Sequence, residues 1–561
     1  MKVNNAILQG YENYKIRRYD ELDFLSKNTI YYDELSNNKV SGVIKSCHYV
    51  NDKLALTFSN NDSHVAVIAA TGLGKTTGYV IPTLNVFAKM KEKKSMIISD
   101  PKGELYSATS KLLKDEGYNV LLFNTRDYKN SECYNLITKI FRKYKTIDKI
   151  YENIKAICEN GVYKSVFEDK VYDSQEELSD AISRKTNMIL DEVGNQIDDI
   201  AEMFIDVYNE KDKYWDESAK DVFKAMLWAM LEDSNKKENP ITEETFSFNT
   251  MLEIVNTFND GTSSRYNDGG YFTDRDESSM ALKLMKHNVI ENADTTRKCI
   301  MSTFNSKMSV FKEVAIRTIT SCNTFEFDDL LKRPTAIFIN YKDELKVHYK
   351  LISLFVKDAY TFLIDKANKS KDRKLDIPFY FILDEFGNFP ALKDFDTTIS
   401  ACRGRNIYFM LIIQSYAQLS NVYGDKVSEI IRDNLNVHVF FGSNNPNTLK
   451  EFSEECGKIT RISPLSALNG NTSEIENYHL ETIPAMPISE LSCLKEGECI
   501  VTEANSGYVL KSKLERCYKI KEFSNYEKAD IHEYKCPVDL FDKKYRYKVE
   551  VKPKKRNDFF D

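Results

Sequence analysis

Residues 69–84 read AATGLGKTTGYVIPTL and follow the apolar run HVAVI, residues 64–68. Gly72 and Gly74 permit backbone conformations that turn several N–H groups inward toward one anion, so the stretch Thr71, Gly72, Leu73, Gly74 reads as a cradle for phosphates. Lys75 brings a point charge to β- and γ-phosphates, and the hydroxyl of Thr76 suits a Mg²⁺ ligand. Thr77 leads into a helix whose positive dipole end would face the same phosphates. The usual first glycine of such a loop is Ala69 here. An ordinary Gly-rich turn has the same composition, but it does not require a strand before it and a helix after it. The flanking pattern therefore predicts a nucleotide-binding loop for ATP with Mg²⁺.

The rest of the chain is consistent with a large multidomain protein. At 561 residues it is too long for one compact core, and 42% hydrophobic with 12% aromatic residues is enough to fill several. The 11 cysteines are scattered, with no Cys-x-x-Cys and no His-Glu-x-x-His. Neither a zinc site nor a disulfide framework is indicated, and a reducing, cytoplasmic compartment is expected. No cleavable leader pattern and no run of about 20 apolar residues occurs, so no transmembrane segment is expected. The net charge of −7 argues against a surface basic all over, although a ring can hold a basic channel inside an acidic exterior.

Short apolar runs recur at 64–69, 95–99, 119–123, 335–340, 379–383, 407–413, 436–441 and 498–502. They are apolar throughout instead of alternating, which predicts buried strands of a mostly parallel sheet in an α/β domain. Between Phe123 and Thr335 strand signals nearly vanish and helical periodicity takes over. In residues 217–233, for example, Val222, Phe223, Met226, Leu227, Met230 and Leu231 fall on one helical face. The expected division is an N-terminal segment 1–60, a nucleotide-binding domain in two parts (61–140 and 326–520) interrupted by an all-α domain (141–325), and a C-terminal tail 521–561. Residues 166–217 carry 16 Asp or Glu against 5 Lys or Arg. The tail from Lys543 to Arg556 holds eight basic residues and one acidic. A solvated helical face and a flexible tail are the simplest accounts of these two stretches.

A phosphate loop needs metal-holding and water-activating groups on a neighbouring strand, and FYFILDEFGNFPAL (379–392) provides two acids at a strand's carboxyl end. Asp384 would hold Mg²⁺ through its water shell, and Glu385 would orient the attacking water and take its proton. Further on, in ACRGRNIYFMLIIQSYAQL (401–419), a strand ends at Gln414, placed to sense the γ-phosphate. Arg403 and Arg405 precede that strand; by position alone they are equally well solvated arginines.

Together with SDPKGELYSAT (99–109) and NVHVFFGSNNPNTLKEFSE (436–454), these motifs resemble those of the type IV coupling proteins, conjugative DNA-transfer ATPases, over roughly Ser41 to Ser506. The resemblance implies a RecA-like domain, a homo-hexamer, and single-stranded DNA with its relaxase or relaxosome as cargo, delivered to components of a type IV secretion channel. It also implies roles for matched positions: Lys75 and Thr76 in the nucleotide loop, Asp384 and Glu385 at the metal and water site, Gln414 as sensor, and Arg403 as an arginine finger acting across subunits. Asp100 matches an acid of a second motif whose chemical role is not assigned.

Many members of that family begin with transmembrane helices, whereas the 74 residues before Lys75 contain none. The expectation is attachment at the inner face of the cell membrane through a separate anchor protein. Two other functions fit the same loop. A cytoplasmic hexameric DNA pump of the chromosome-segregation kind would more naturally carry a winged-helix module than a large helical insertion. A nucleotide-dependent cargo adaptor with little ATPase activity would not need the full set of Lys75, Asp384, Glu385, Gln414 and Arg403. The acidic stretch, with Asp198, Asp199 and Glu202, suits a basic protein surface and repels phosphates.

Overall fold

The computed structural model describes residues 17–20, 29–158, 163–164, 171–172, 174–205, 212–258, 271–464, 478–524, 526–537 and 543–548. The chain divides into two compact units, Met1–Phe123 with Glu326–Tyr534, and Asn124–Phe325 with Lys535–Asp561.

The first unit is built on a ten-stranded sheet. Its strands in chain order are β1 (Arg17–Asp20), β2 (Val65–Ala69), β3 (Ser95–Ser99), β4 (Asn119–Asn124), β5 (Thr335–Asn340), β6 (Phe379–Leu383), β7 (Ile407–Ile413), β8 (Val437–Gly442), β9 (Glu498–Glu503) and β10 (Tyr508–Lys513). In space they run β1-β10-β9-β8-β2-β7-β6-β3-β5-β4. From β8 across to β5 every pairing is parallel. This is the parallel core expected from the apolar runs: β2, β3, β5, β6, β7 and β8 are buried at every position because helices and loops cover both faces.

Register decides what this sheet can do. Phe379 pairs with Ile407 and Leu383 with Leu411, while Met410 pairs with Val65 and Ile413 with Ile68. The carboxyl ends of β2, β6, β7 and β8 therefore lie along one edge. The helix after β2 opens with a π turn, Lys75–Val80, and continues as α1 (Ile81–Lys89), with Pro82 in its first turn, where the missing N–H costs nothing. After β3 comes α2 (Glu104–Asp115).

Two parts of this unit depart from the sequence reading. The run at 498–502 forms a strand, β9, but it pairs antiparallel with β8 and then with β10. The connection uses Asn505 (φ 62°) and Gly507 (φ 70°), left-handed positions that turn the chain back on itself. Strand β10, YVLKSK, is half polar, which hid it from a search for apolar runs. Residues 30–58, within the N-terminal segment 1–60 where no strand was expected, fold into a three-stranded antiparallel sheet ordered Ile30–Tyr31, Lys53–Phe58, Ile44–Val50. Its hairpin turns at Asn51 and Asp52, both with positive φ, a signal that two-residue turns demand.

The second unit is mostly helical. Among its helices α3 (Gln175–Phe204) starts at Ser174, whose hydroxyl accepts from the Glu177 N–H at 3.2 Å, and α4 (Lys213–Asp233) follows. Residues 225–231 of α4 are all buried, so this helix is covered on more than the one face that its periodicity marked. One short antiparallel pair, Tyr163–Lys164 with Val171–Tyr172, also belongs to this unit. No helix among the described residues is long and apolar enough to cross a membrane.

Residues 526–534, within the stretch read as a tail, belong to the first unit and pack on α2: Ser107 Oγ donates to the Ala529 carbonyl at 2.8 Å and Ala529 N–H to the Ser107 carbonyl at 2.9 Å. Of the basic stretch Lys543–Arg556, residues 549–556 lie outside the described residues, as do 166–170, 173 and 206–211 of the acidic one.

Candidate functional site

The loop between β2 and the π turn is held at its base and open at its crown. Ala70 N–H donates to the Gly442 carbonyl at 3.0 Å, tying the loop to the end of β8, and Leu73 N–H turns back to the Ala70 carbonyl at 3.2 Å. Thr71, Gly72 and Leu73 are exposed. Gly72 (φ 85°) and Gly74 (φ 98°) occupy conformations that other residues enter only with strain. Gly74 caps the π turn at Lys75, and no side chain caps that turn in its place. The first N–H groups of the helix are thus left to an anion, and the loop fits the phosphates of a nucleotide.

Lys75 is buried, and its ammonium is paired with Glu385 and lies 3.7 Å from Asp384 Oδ1. Gln414, one residue past β7, donates from Nε2 to Glu385 Oε2 at 3.0 Å. The parallel register of β2, β7 and β6 is what brings Lys75 to Asp384, Glu385 and Gln414, all more than 300 residues further along the chain. Burial holds the Asp384 carboxyl above its ordinary range, against the pull of Lys75. Its backbone is fixed by Ser99 Oγ, which donates to the Asp384 carbonyl at 3.0 Å, and Ser99 is in turn 2.9 Å from the Tyr341 hydroxyl. Thr76 is half-buried in the π turn beside Lys75. Thr76 and Asp384 carry oxygen donors that could hold Mg²⁺, a hard cation that takes few protein ligands.

Asp100 has a structural task. Its Oδ2 accepts the Tyr106 N–H at 2.8 Å, so the carboxylate caps the first turn of α2 across the left-handed Gly103 (φ 73°). Burial pushes this carboxyl up to about 7, opposed by the N–H groups of Tyr106 and Leu105.

Arg403 stands apart from these groups. It lies in the short turn Arg403–Arg405 before β7, at the opposite end of the strand from Gln414. The seven residues of β7, at about 3.3 Å each, put roughly 23 Å between the two ends. Arg403 is exposed, whereas Arg405 is engaged, donating to Asn368 Oδ1 at 2.9 Å and to the Ala401 carbonyl at 2.6 Å.

Two residues at the site were not among those read from sequence. Gln418 accepts the Gln414 N–H at 2.9 Å, and its side chain presses on Gly387, where an added Cβ would come within 2.5 Å of it. Arg516 donates to Thr77 Oγ1 at 3.0 Å and to the Gly72 carbonyl at 3.1 Å. Neither belongs to a local pattern; the fold alone brings them to the loop.

The sequence matches a family described as "Type IV secretory system Conjugative DNA transfer" over residues 20–512. It is similar to VirD4 of Rhizobium rhizogenes, 22% identical over 404 residues covering 71% of this chain and 50% of that protein. It is also similar to the conjugal transfer protein TraG of Escherichia coli, 21% identical over 437 residues covering 74% of this chain and 59% of that one. The chain spans about half the length of the curated relatives it matches. In fold it is similar to the plasmid coupling protein TrwB in complex with ADP and Mg²⁺, with a TM-score of 0.55, 13% identity, and coverage of 90% of this chain and 94% of that one. With the family match running through both parts of the sheet and the helical unit between them, the chain belongs to the type IV secretory system conjugative DNA-transfer family.

Proposed function

We propose that this protein is an ATP-dependent coupling protein that recruits a relaxase–single-stranded DNA substrate to a type IV secretion channel and drives its transfer. The convergence of Lys75, Asp384, Glu385 and Gln414 at the carboxyl edge of a parallel sheet carries this reading. A nucleotide's terminal phosphate would compete with Glu385 and Asp384 for the Lys75 ammonium. Released from that pair, Glu385 would hold the attacking water and accept its proton, oriented by the Gln414 amide. Mg²⁺, when bound, would neutralise phosphate charge, with Thr76 and Asp384 holding it. Loss of the γ-phosphate would let Lys75 return to Glu385, and the Gln414 contact would pass that change to β7. TrwB in complex with ADP and Mg²⁺ shares this fold, which supports the same ligands here.

The proposal includes a homo-hexamer in which Arg403 reaches the neighbouring subunit's nucleotide, and a separate membrane anchor protein. The test is steady-state ATPase activity with and without single-stranded DNA. Mg²⁺-dependent turnover that rises several-fold with DNA is expected, with none in Lys75→Ala. Nucleotide binding without turnover under either condition would favour a cargo adaptor.

A further inference from the structure

The side chain of Arg516, three residues beyond the end of a hairpin strand, lies on the phosphate loop at Gly72, Gly74 and Thr77. Nη1 donates to Thr77 Oγ1 at 3.0 Å, Nη2 to the Gly72 carbonyl at 3.1 Å, and Nε to Glu496 Oε1 at 3.3 Å. A Cβ added to Gly74 would fall 2.2 Å from Nη1 and 2.5 Å from Cζ, so the guanidinium rests directly against the loop backbone. Its backbone is held as well. Leu514 N–H donates to the Gly497 carbonyl at 2.7 Å, closing the β9–β10 hairpin, and Lys519 N–H donates to the Arg516 carbonyl at 2.8 Å.

The charge on this arginine is poorly matched by its partners. Two of the three are neutral acceptors. The third, Glu496, is 57% exposed and shared with Lys519 at 3.6 Å. The arginine side chain as a whole is only 16% exposed. A permanent, largely covered cation on a loop shaped for an anion is an arrangement that gains when the anion is present. Its position says which part of the anion. Lys75 and Thr76 serve the β- and γ-phosphates and the metal, on the side of Asp384 and Glu385. Gly72 and Thr77, the residues that Arg516 touches, flank Lys75 and Thr76 in the loop, the stretch whose backbone N–H groups cradle the α- and β-phosphates.

We infer that Arg516 is a second cationic contact of the nucleotide site, supplied in cis by the β10 hairpin and directed at the α- and β-phosphates of a nucleoside di- or triphosphate. The inference rests on the nucleotide-site reading above. Because those phosphates are common to substrate and product, Arg516 holds the nucleotide in both states and leaves sensing of the γ-phosphate to Gln414.

Fluorescent N-methylanthraniloyl-ADP and a non-hydrolysable ATP analogue are titrated into the full chain and into Arg516→Ala, Arg516→Gln, Arg516→Lys and Lys75→Ala. Arg516→Ala and Arg516→Gln are expected to weaken both ligands by about tenfold, and Arg516→Lys by under about threefold, because the charge matters more than the hydrogen bonds to the loop. In turnover the loss should fall on KM more than on kcat. Unchanged affinity in Arg516→Ala overturns the inference, as does a loss confined to the ATP analogue. So does an equal loss in all three Arg516 variants with a lowered melting midpoint of the nucleotide-free chain, which marks a strut of the loop. If Lys75→Ala still binds both nucleotides, the nucleotide-site reading fails first; if it loses them while Arg516→Ala does not, only the inference falls.

Discussion

Glu385 sits at φ 53°, in the left-handed region that a residue with a side chain enters at a cost of about 1–2 kcal/mol. The next turn begins there, so this backbone aims the carboxylate back over the sheet edge, where Lys75 and Gln414 hold it. The two ends of that contact have separable roles. Lys75→Ala is expected to abolish productive nucleotide binding, while Glu385→Gln keeps binding and lowers turnover by about 10²–10⁴-fold. Nucleotide titration and single-turnover hydrolysis check both, and wild-type turnover in Glu385→Gln would remove it as the base. Asp100 supports a different prediction. Its folded-state pKa of about 7 lies above the roughly 3.9 of an unfolded chain, so the unfolded state gives up its proton first as pH rises. The resulting loss of stability grows between about pH 4 and pH 7 and is constant above. Asp100→Asn keeps the oxygen that accepts from Tyr106 without the charge. It should therefore melt higher than wild type at pH 8 in the absence of nucleotide, with the gap closing toward pH 4.

Helix α3 shows how a charged stretch and a packed one coexist on a single element. Ile189, Val193, Ile197, Ile200, Ala201 and Phe204 are buried, spaced three and four apart, and the acids fall on the other side. Asp198 and Glu202 are exposed, Asp199 is half-buried, and Asp198 lies 2.8 Å from Lys224 of α4. Exposed pairs of this kind contribute under about 1 kcal/mol, so reversing Asp198, Asp199 and Glu202 to Lys should leave the fold intact. The proposed role of this face is to dock a basic cargo protein. Relaxase pull-down is then expected to weaken more than DNA binding in the triple variant; an equal or greater loss of DNA binding would end that idea. The strands of the parallel core were legible because burial on both faces makes them apolar throughout. Strand β10 and the sheet formed by residues 30–58 were not, because Lys, Ser and Thr interrupt their apolar runs, several of them buried there (Lys45, Ser46, Thr57 and Ser512), so they lack that signature.

At the scale of the molecule, the separation of Arg403 from its own chain's loop by the length of β7 makes a role in cis sterically remote. In the proposed ring, Arg403 would stabilise transition-state charge at the neighbouring subunit's nucleotide, a contribution of about 10³–10⁵ in rate. Arg403→Ala and Lys75→Ala are each expected to be inactive alone. Mixed in a demonstrably shared oligomer, they should recover partial ATPase activity through interfaces that pair an intact loop with an intact finger. No recovery would remove the assignment in trans, and near-normal activity of Arg403→Ala alone would move it to Arg405.

By itself the sequence determined the phosphate loop, the α/β class and the acids at the end of β6. Each is a local pattern: glycines that allow positive φ, apolar runs that cannot face water, carboxylates where a buried strand stops. Only the tertiary structure decided what meets what. Pairing β6 with β7 and β7 with β2 in parallel register carries Glu385 to Lys75 and Gln414 to Glu385. The antiparallel return of β9 and β10 brings Arg516 across 439 positions of sequence to Thr77. Arg516 has no motif to mark it, because its place follows from hydrogen bonds between backbones, which every residue can make, and not from the side chains beside it.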